Sequence, residues 1–480
     1  MKQILRYFIP ICLLAASCQP HFDMVPPGTG GGGTQQEFAD NWFVTKDGSG
    51  AKTGSDWNNA LPFKSFLAMI ANTTTGLSDA GIHIQEGTYV VPSGAGKFLT
   101  VSKDILCVRG GYSKDLTYDD LSKCDPAAYP TIFTGDVNGN GEADEGDGAF
   151  VYLTGGMVRF ENITFKNFYK SNSLDKETEG KIGAVFGING TYNATSVECN
   201  NCIFEGNVNG YTSDAGLQGG PCAFVSEGYF KARACVFKGN SANSRGGALR
   251  TCSKSSVLFL DRCFFEGNAV SDTWGKAIQI SDGVLCANNC TFVGHSGNGS
   301  TVNGGGGFFL SSNTIIDDSS PNGTSNAAFR CESKSDRKSI LINNVFGNTN
   351  ASGCGLTLNS SGTFISRGYN VFKTVTCADG ISDPSAAEDL KKDAVLAGSV
   401  EDNCWKWDIS QVEADLKGYA CADDIYDAAV SFDPSAYCSI AVLGRAYATW
   451  VTPNSFALDG RGEERGEDFQ PGSYDPNLDE

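Results

Sequence analysis

Between residues 197 and 310 apolar and polar positions alternate by two on either side of a polar step, and no period of 3.6 residues runs through them. Three and five positions before successive cysteines stand Cys199 and Val197, Ala232 and Phe230, Leu260 and Leu258, then Ala287 and Leu285. Two positions after each cysteine comes Phe204, Phe237, Phe265 or Phe292. The spacing predicts two short strands joined by a bend. The unit recurs as NCIFEGN at 201, ACVFKGN at 234, RCFFEGN at 262 and NCTFVGH at 289, with looser copies NITFKNF at 162 and NNVFGNT at 343.

The pattern's Phe falls at 165, 204, 237, 265, 292 and 346, so the gaps are 39, 33, 28, 27 and 54. Because the last gap is twice 27, a drifted copy is expected around Ile315. A period in this range means a stacked array, each repeat one coil of β structure. Equivalent positions in successive coils would lie about 4.8 Å apart, giving inward columns of Phe, of Cys and of aliphatics. Asn162, Asn201, Asn289 and Asn344 are expected to form a partial ladder of stacked amides.

A glycine-rich half-motif follows each coil: GGPCAF at 219, GGALRT at 246, GKAIQI at 275 and GGGFFL at 305. Glycine allows a backbone turn there before the next alternating run. F-x-x-N followed by G-G-A-Ile/Leu resembles the polymorphic outer-membrane protein repeat. The resemblance implies an all-β fold, a right-handed parallel β-helix (a pectate-lyase-like solenoid) with an N-terminal cap and an irregular C-terminal segment. That architecture hosts adhesins and enzymes alike.

Residues 1–17 read as an export signal, with Lys2 and Arg6 ahead of the apolar run Tyr7 to Ala16. Ala15-Ala16-Ser17-Cys18 resembles a relaxed bacterial lipobox, which implies lipidation of Cys18; an ordinary signal peptide is the alternative. Residues 18–40 are a Pro- and Gly-rich tether, 41–375 the β-helix and 376–480 a C-terminal capping segment. The first part of the domain, WFVTKDGSGAKTGSDWNNALPFKSF from Trp42, predicts a short helix to about Ile70 and resembles the entry segment of secreted β-helix proteins, whose helix plugs the open end. IHIQEGTYVV at 82 and ILCVRGGY at 105 read as the first rungs. No later apolar run reaches the roughly 20 residues of a membrane helix, so membrane attachment is expected through the lipid alone, at the outer membrane and on its outer surface.

Lys and Arg number 36 against 55 Asp and Glu, a net charge of −19. Such a balance argues against nucleic acid or anionic membranes as partners, and weakens the case for a strongly anionic polysaccharide as ligand unless calcium bridges the two. One acidic stretch carries chemistry. In GDVNGNGEADEGDG at 135, Asp136, Asn138, Asn140, Gly141, Glu142, Asp144 and Asp147 fall at positions 1, 3, 5, 6, 7, 9 and 12 of a calcium loop. It resembles the dockerin variety, and implies a structural Ca²⁺ held by residues 136–147. A strand, not a helix, is expected to follow; a solvated acidic turn is the alternative.

Excluding Cys12 and Cys18, 16 of the 18 cysteines remain. In-register Cys202, Cys235, Cys263 and Cys290 point the same way, so buried thiols are favoured there. Bridges are expected rather at Cys107 with Cys124 and among Cys377, Cys404, Cys421 and Cys438. Near the end, Asp459, Arg461, Gly462 and Arg465, then Gly472-Ser473-Tyr474-Asp475, resemble the terminal signature of choice-of-anchor Q β-helix proteins, with Ser and Asp in place of Ala and Glu. Arginines meeting carboxylates and a Tyr are expected to close the last rung.

The three histidines, His21, His83 and His295, lie near no nucleophile motif. Arg233, Arg245, Arg250, Lys254 and Lys276 are cations near the repeat turns, where a lyase-type base could stand. Tyr211 and Trp274, just before the glycine pairs, are places for a sugar to stack. Two functions are carried forward: a surface module binding a glycan or another protein in the manner of an adhesin, and a lyase or hydrolase acting on uronic-acid polymers. A cleft with paired carboxylates and a basic residue would favour the enzyme, and a flat face of Thr, Ser, Asn and aromatics the binder.

Overall fold

The structure, a computed structural model, describes Phe38 and residues 40–465, less 72–79, 93–98, 102–105, 172–182, 191–194, 213–218, 318–326, 349–353, 359–361, 378–382, 392–397, 408–414, 433–446, 452–455, 462–464 and a few isolated positions. The export signal, Cys18, the tether apart from Phe38 and Asp40, Cys438, Gly462 and Gly472 to Asp475 therefore lie outside the described residues. The described part belongs to one compact unit that starts at Phe38.

Parallel pairing dominates. The second sheet of each coil holds the Phe column: Phe165, Phe204, Phe237, Phe265 and Phe292 are consecutive register partners. Their rings stack at 5.1, 4.7, 4.4 and 4.5 Å between centroids and are all but unexposed. The drifted copy is where the doubled gap put it, since Ile315 pairs with both Phe292 and Phe346. A first sheet precedes each bend, with strands such as Ser196–Asn200, Ser256–Asp261 and Val284–Asn288 in register. A third sheet follows the glycine turns, through Leu249–Thr251, Ile278–Ile280 and Val302–Gly304. The chain is a parallel β-helix. The fourth glycine motif is not equivalent to the others: GGGFFL leads into Gly307–Ser311 of the first sheet, and its coil's third-sheet strand is Val302–Gly304.

The expected amide ladder needs correction. Asn162, Asn201 and Asn289 stand at the bend with φ of 59°, 51° and 53°, and so do Ala234, Arg262, Ser312 and Asn343. Asn is favoured there because it tolerates the left-handed region, so the column is conserved in backbone conformation and not in side chain. One amide contact survives, Asn201 Nδ2 donating to Asn162 Oδ1 at 2.9 Å. Asn344 belongs one position on, in the Cys column. There Asn313, Asn344 and Asn370 continue the four cysteines, each Nδ2 donating along the stack to the next Oδ1, and Asp389 closes the row. A second ladder, absent from the sequence reading, joins Asn207, Asn240 and Asn268 of F-x-x-N and ends on His295 Nδ1. These side chains meet the backbone N–H groups that the bends leave over.

Cys202, Cys235, Cys263 and Cys290 are free buried thiols, as expected, and burial pushes all four well above the usual thiol pKa. Cys107 and Cys124 are also free, contrary to expectation. Cys107 is buried on the first sheet, whereas Cys124 Sγ donates to Gly110 O beyond the turn. Cys377, Cys404 and Cys421 are free too.

Helix α1 (Phe63–Ala71) buries Phe63, Phe66, Leu67 and Ile70 in the same core as the stack. Phe63 lies 5.1 Å from Phe133 of the second sheet. The C-terminal segment lies along the flank. After Val375–Cys377 one more strand, Leu390–Lys391, joins the second sheet, and helix α2 (Ala422–Phe432) then lies against the first sheet. Of the terminal motif only Asp459, Arg461 and Arg465 are described, and the contacts seen for them lie away from the last rung. Arg461 pairs with Asp459 at 2.8 Å, and Arg465 Nη2 donates to Asn289 Oδ1 at 2.9 Å, while Asn289 Nδ2 donates to Leu458 O. The left-handed Asn of the fourth clear repeat is thus the socket for this clamp.

Candidate active site

In the first sheet alternate residues point away from the core, so outward columns run along the stack, among them that of Ser196, Tyr229, Val257 and Val284 and two that carry charge. One reads Cys107, Arg159, Glu198, Lys231, Phe259, Cys286, Phe309 and Ile340. The other reads His83, Arg109, Glu161, Asn200, Arg233, Asp261 and Asn288. Both ends of this face are covered. At the N-terminal end Phe43, Trp57, Tyr112 and Leu116 form an outer cluster, with His83 hydrogen-bonded between Tyr112 and Asn41; burial, with Arg109 adding, pushes the His83 pKa down to about 3. At the C-terminal end Phe259 and Phe309 lie under Trp450, and α2 packs beside them.

Between the two covers the outward residues are charged. Arg109 Nε meets Glu161 Oε2 at 2.6 Å, Arg159 Nη2 meets Glu198 Oε2 at 3.1 Å, and Arg233 Nε meets Asp261 Oδ2 at 3.1 Å. Arg262 adds a second cation to Asp261. These side chains are only 10–15% exposed apart from Arg262, which is more buried still. Five cations, Arg109, Arg159, Lys231, Arg233 and Arg262, face three carboxylates, Glu161, Glu198 and Asp261. A local positive excess stands out in a chain of net charge −19.

Lys231 is the exception to this pairing. Its one ion-pair partner among the described residues is Glu198 Oε1 at 4.0 Å, beyond hydrogen-bond reach. Burial lowers its pKa and Glu198 opposes that, while Arg233 and Arg159 add to the lowering. Two positions away on the same strand face, Tyr229 donates its hydroxyl to the same oxygen, Glu198 Oε1, at 3.5 Å. Burial raises the Tyr229 pKa. For Glu198 burial works upward, yet Lys231 and Arg159 outweigh it and hold the carboxyl below its usual value. The central group is therefore a carboxylate, and the amine next to it gives up its proton more easily than a free lysine.

The cations picked out in sequence are scattered. Arg233 is on this floor; Lys276 forms a fully buried pair with Asp317; Lys254 pairs with Asp336 at the surface; Arg250 is buried with its guanidinium 5.0 Å from the Phe224 ring centroid. Tyr211, expected as a sugar platform, is 3% exposed, its ring 4.8 Å from the Lys170 ammonium, and therefore offers no open face. Trp274 is half-buried with the Arg245 guanidinium 5.0 Å from its ring. Arg109, Arg159, Glu161, Glu198 and Lys231 were missed because each is merely the polar step of an alternating strand. Register alone collects them.

The loop at 136–147 closes on itself. Asp136 accepts from the backbone N–H of Gly139, Asn140 and Gly141, and Asp147 from those of Val137 and Asp144. Asn138 and Asn140 both donate to Asp144, while Glu142 takes part here through its backbone N–H to Asn140 Oδ1. Among the described residues no group of three His, Cys, Asp or Glu side chains comes together as a metal site. The donor set nevertheless fits a hard cation in kind, since carboxylate oxygens that accept one N–H retain a further lone pair. Val151–Leu153, a strand, follows.

The chain matches no known protein family and no curated protein. Among solved structures it is similar to the crystal structure of pectate lyase Pel9A, with a TM-score of 0.38 and 13% identity over 92% of this chain and 97% of that one. The strand registers, rather than this likeness, make the chain an all-β parallel β-helix.

Proposed function

We propose that the protein cleaves a uronate-containing polysaccharide by β-elimination on the charged part of the outer face of the first sheet. The observation that carries this is Lys231, a nearly buried amine of lowered pKa on a cationic floor, out of hydrogen-bond reach of its one carboxylate partner among the described residues. Lys231, in its neutral form, takes the proton from the ring carbon next to the uronate carboxylate. The electron pair forms a carbon–carbon double bond as the bond to the leaving sugar oxygen breaks, and Tyr229 returns a proton to that oxygen. Arg159 and Arg233 attract the substrate carboxylate and stabilise the charge that develops on it. Hydrolysis by a carboxyl pair needs one carboxyl kept protonated, whereas Glu198 is shifted the other way.

The test is ultraviolet absorbance of the conjugated double bond released from polygalacturonate, alginate or a glycosaminoglycan. Absorbance from wild type and none from Lys231→Met supports the reading. Reducing ends without absorbance would mean hydrolysis, and polymer retained without any cleavage would return the adhesin-like reading. We further propose that Ca²⁺ occupies residues 136–147, held by Asp136, Asn138, Asn140, Asp144 and Asp147 with Glu142 contributing its backbone, and steadies that turn without entering the reaction. Export, with lipid on Cys18 at the outer membrane, is proposed on the sequence alone. Mass analysis of the mature N-terminus, with Cys18→Ser as comparison, tests it.

A further inference from the structure

One carboxylate on the outer face of the first sheet gathers two guanidiniums. Asp261 Oδ2 accepts from Arg233 Nε at 3.1 Å and from Arg262 Nε at 3.3 Å. Arg233 is the register partner of Asp261 on the neighbouring coil, and Arg262 is the bend residue that follows it. Because both hold the same oxygen, the two guanidiniums stand close enough to meet one small group. The carboxylate is itself fixed from the other side, since Asn288 Nδ2 donates to Asp261 Oδ1 at 3.2 Å and Ser311 Oγ to Asn288 Oδ1 at 2.9 Å. Those donors stand in register on the next two coils. Both arginines reach Asp261 through Nε, which leaves their Nη ends for another acceptor. Two cations against one carboxylate make a positive spot, and with the side chains 14% and 4% exposed that charge is little screened. The bend position of Arg233's own coil is Ala234, only a methyl, with Asn201 on the coil before and Arg262 on the coil after.

We infer that Arg233 and Arg262 seat an oxyanion, a carboxylate or a sulfate ester, carried by the sugar next to the one that reacts, with Ala234 leaving room for it. The inference rests on the proposed elimination at Lys231, two positions before Arg233 on the same strand, and adds which group of the neighbouring sugar is recognised. Arg233 stands between the two acidic groups, the reacting uronate on its Lys231 side and the second oxyanion on its Arg262 side. The planar guanidinium fork matches two oxygens of a carboxylate or a sulfate. Arginines already held by Asp261, with Asp261 held by Asn288, lose little freedom when the oxyanion arrives.

Binding is measured by affinity electrophoresis in the Lys231→Met background, so that turnover cannot remove the polymer. Arg262→Gln should weaken retention by polygalacturonate about tenfold and leave retention by its methyl ester unaltered. Because Arg262→Gln also removes a bond to Asp261, a second pair of variants keeps every ion pair in place. Ala234→Asp sets a carboxylate into the seat, while Ala234→Asn has the same shape without the charge, and both are tolerated at a φ of 49°. Ala234→Asp should be retained about tenfold more weakly than Ala234→Asn. A loss on polygalacturonate assigns the seat to a carboxylate; a loss confined to chondroitin sulfate and removed by desulfation assigns it to a sulfate ester. If Arg262→Gln stays within about twofold of its parent, and Ala234→Asp of Ala234→Asn, on every polymer, the seat is wrong while the Lys231 chemistry stands. A loss with Arg262→Gln that Ala234→Asp does not share comes from a displaced Asp261 and also overturns the seat. If the parent binds no acidic polymer of any kind, seat and proposed function fall together.

Discussion

The outer face of the first sheet is one surface with two chemistries. From Arg109 to Asp261 its polar positions form ion pairs; from Val257 to Ile342 its apolar positions, among them Val257, Val284, Phe309 and Ile340, pack with α2, Tyr447, Trp450 and Phe456. The inward faces of the same coils do not change, because Phe, Cys or Asn and aliphatics fill the interior throughout. A solenoid's stability resides in its repeated interior, so its outside is free to differ from rung to rung. Where the outward residues are apolar the chain has to supply a cover; where they are charged it leaves a place for something else.

The largest effect should come from the interior common to both halves. Phe265 stacks on Phe237 and Phe292 at 4.4 and 4.5 Å, so Phe265→Ala removes contacts on two sides and should cost about 3–5 kcal/mol in denaturant unfolding. A cost under about 1 kcal/mol would mean the stack is not the spine of the fold.

Next in size is the cover. Trp450→Ala should cost about 3 kcal/mol or more, since its ring lies near Phe259, Phe309 and Phe456 and only 2% is exposed. Its loss should also expose apolar surface that binds a hydrophobic dye. Arg465→Ala breaks the clamp on Asn289 and should cost about 1.5–3 kcal/mol, the range for a hydrogen bond to a charged group. If both substitutions are silent, the C-terminal segment is a passenger and the contrast between halves loses its structural half. Calcium sharpens the comparison from the other end. At a hundredfold excess over its dissociation constant it should stabilise by about 2.7 kcal/mol, and Asp136→Ala should remove both that gain and any response to chelator.

What was legible in sequence follows from the same division. The interior could be read because burial forces a repeat: the Phe column, the Cys column and even the displaced Ile315 show as spacing. The bend could be located but not explained, because Asn162 and Asn201 look like ladder residues when their φ is what fixes them, as Ala234 and Arg262 at equivalent bends show. The charged face was largely illegible. Arg109, Glu198 and Asp261 come from three coils, and nothing local marks a polar step that pairs across coils from one that faces water. Tyr211 and Trp274 were chosen for being aromatic before a turn, a cue that does not register burial.

The smallest effect on stability, and the most informative, belongs to Lys231. Lys231→Met removes a nearly buried cation whose ion-pair partner among the described residues stands 4.0 Å away and leaves Glu198 its bond to Arg159, so the fold should lose well under the roughly 3–5 kcal/mol of a broken buried pair. Product formation should nevertheless disappear. The pH dependence gives a second sign. The reacting form is the neutral amine, and its surroundings lower the Lys231 pKa, with burial the largest cause. Turnover should therefore rise with pH as the proton leaves, and level off below the alkaline range in which a free lysine titrates. Arg159→Met takes away a cation that lowers that pKa, but also the guanidinium that holds Glu198, so the two contributions must be separated by the profile. A rise displaced to higher pH identifies Lys231 as the titrating base. A lower plateau with an unmoved midpoint would show that the base lies elsewhere and that the charged half of this face is a scaffold like its covered neighbour.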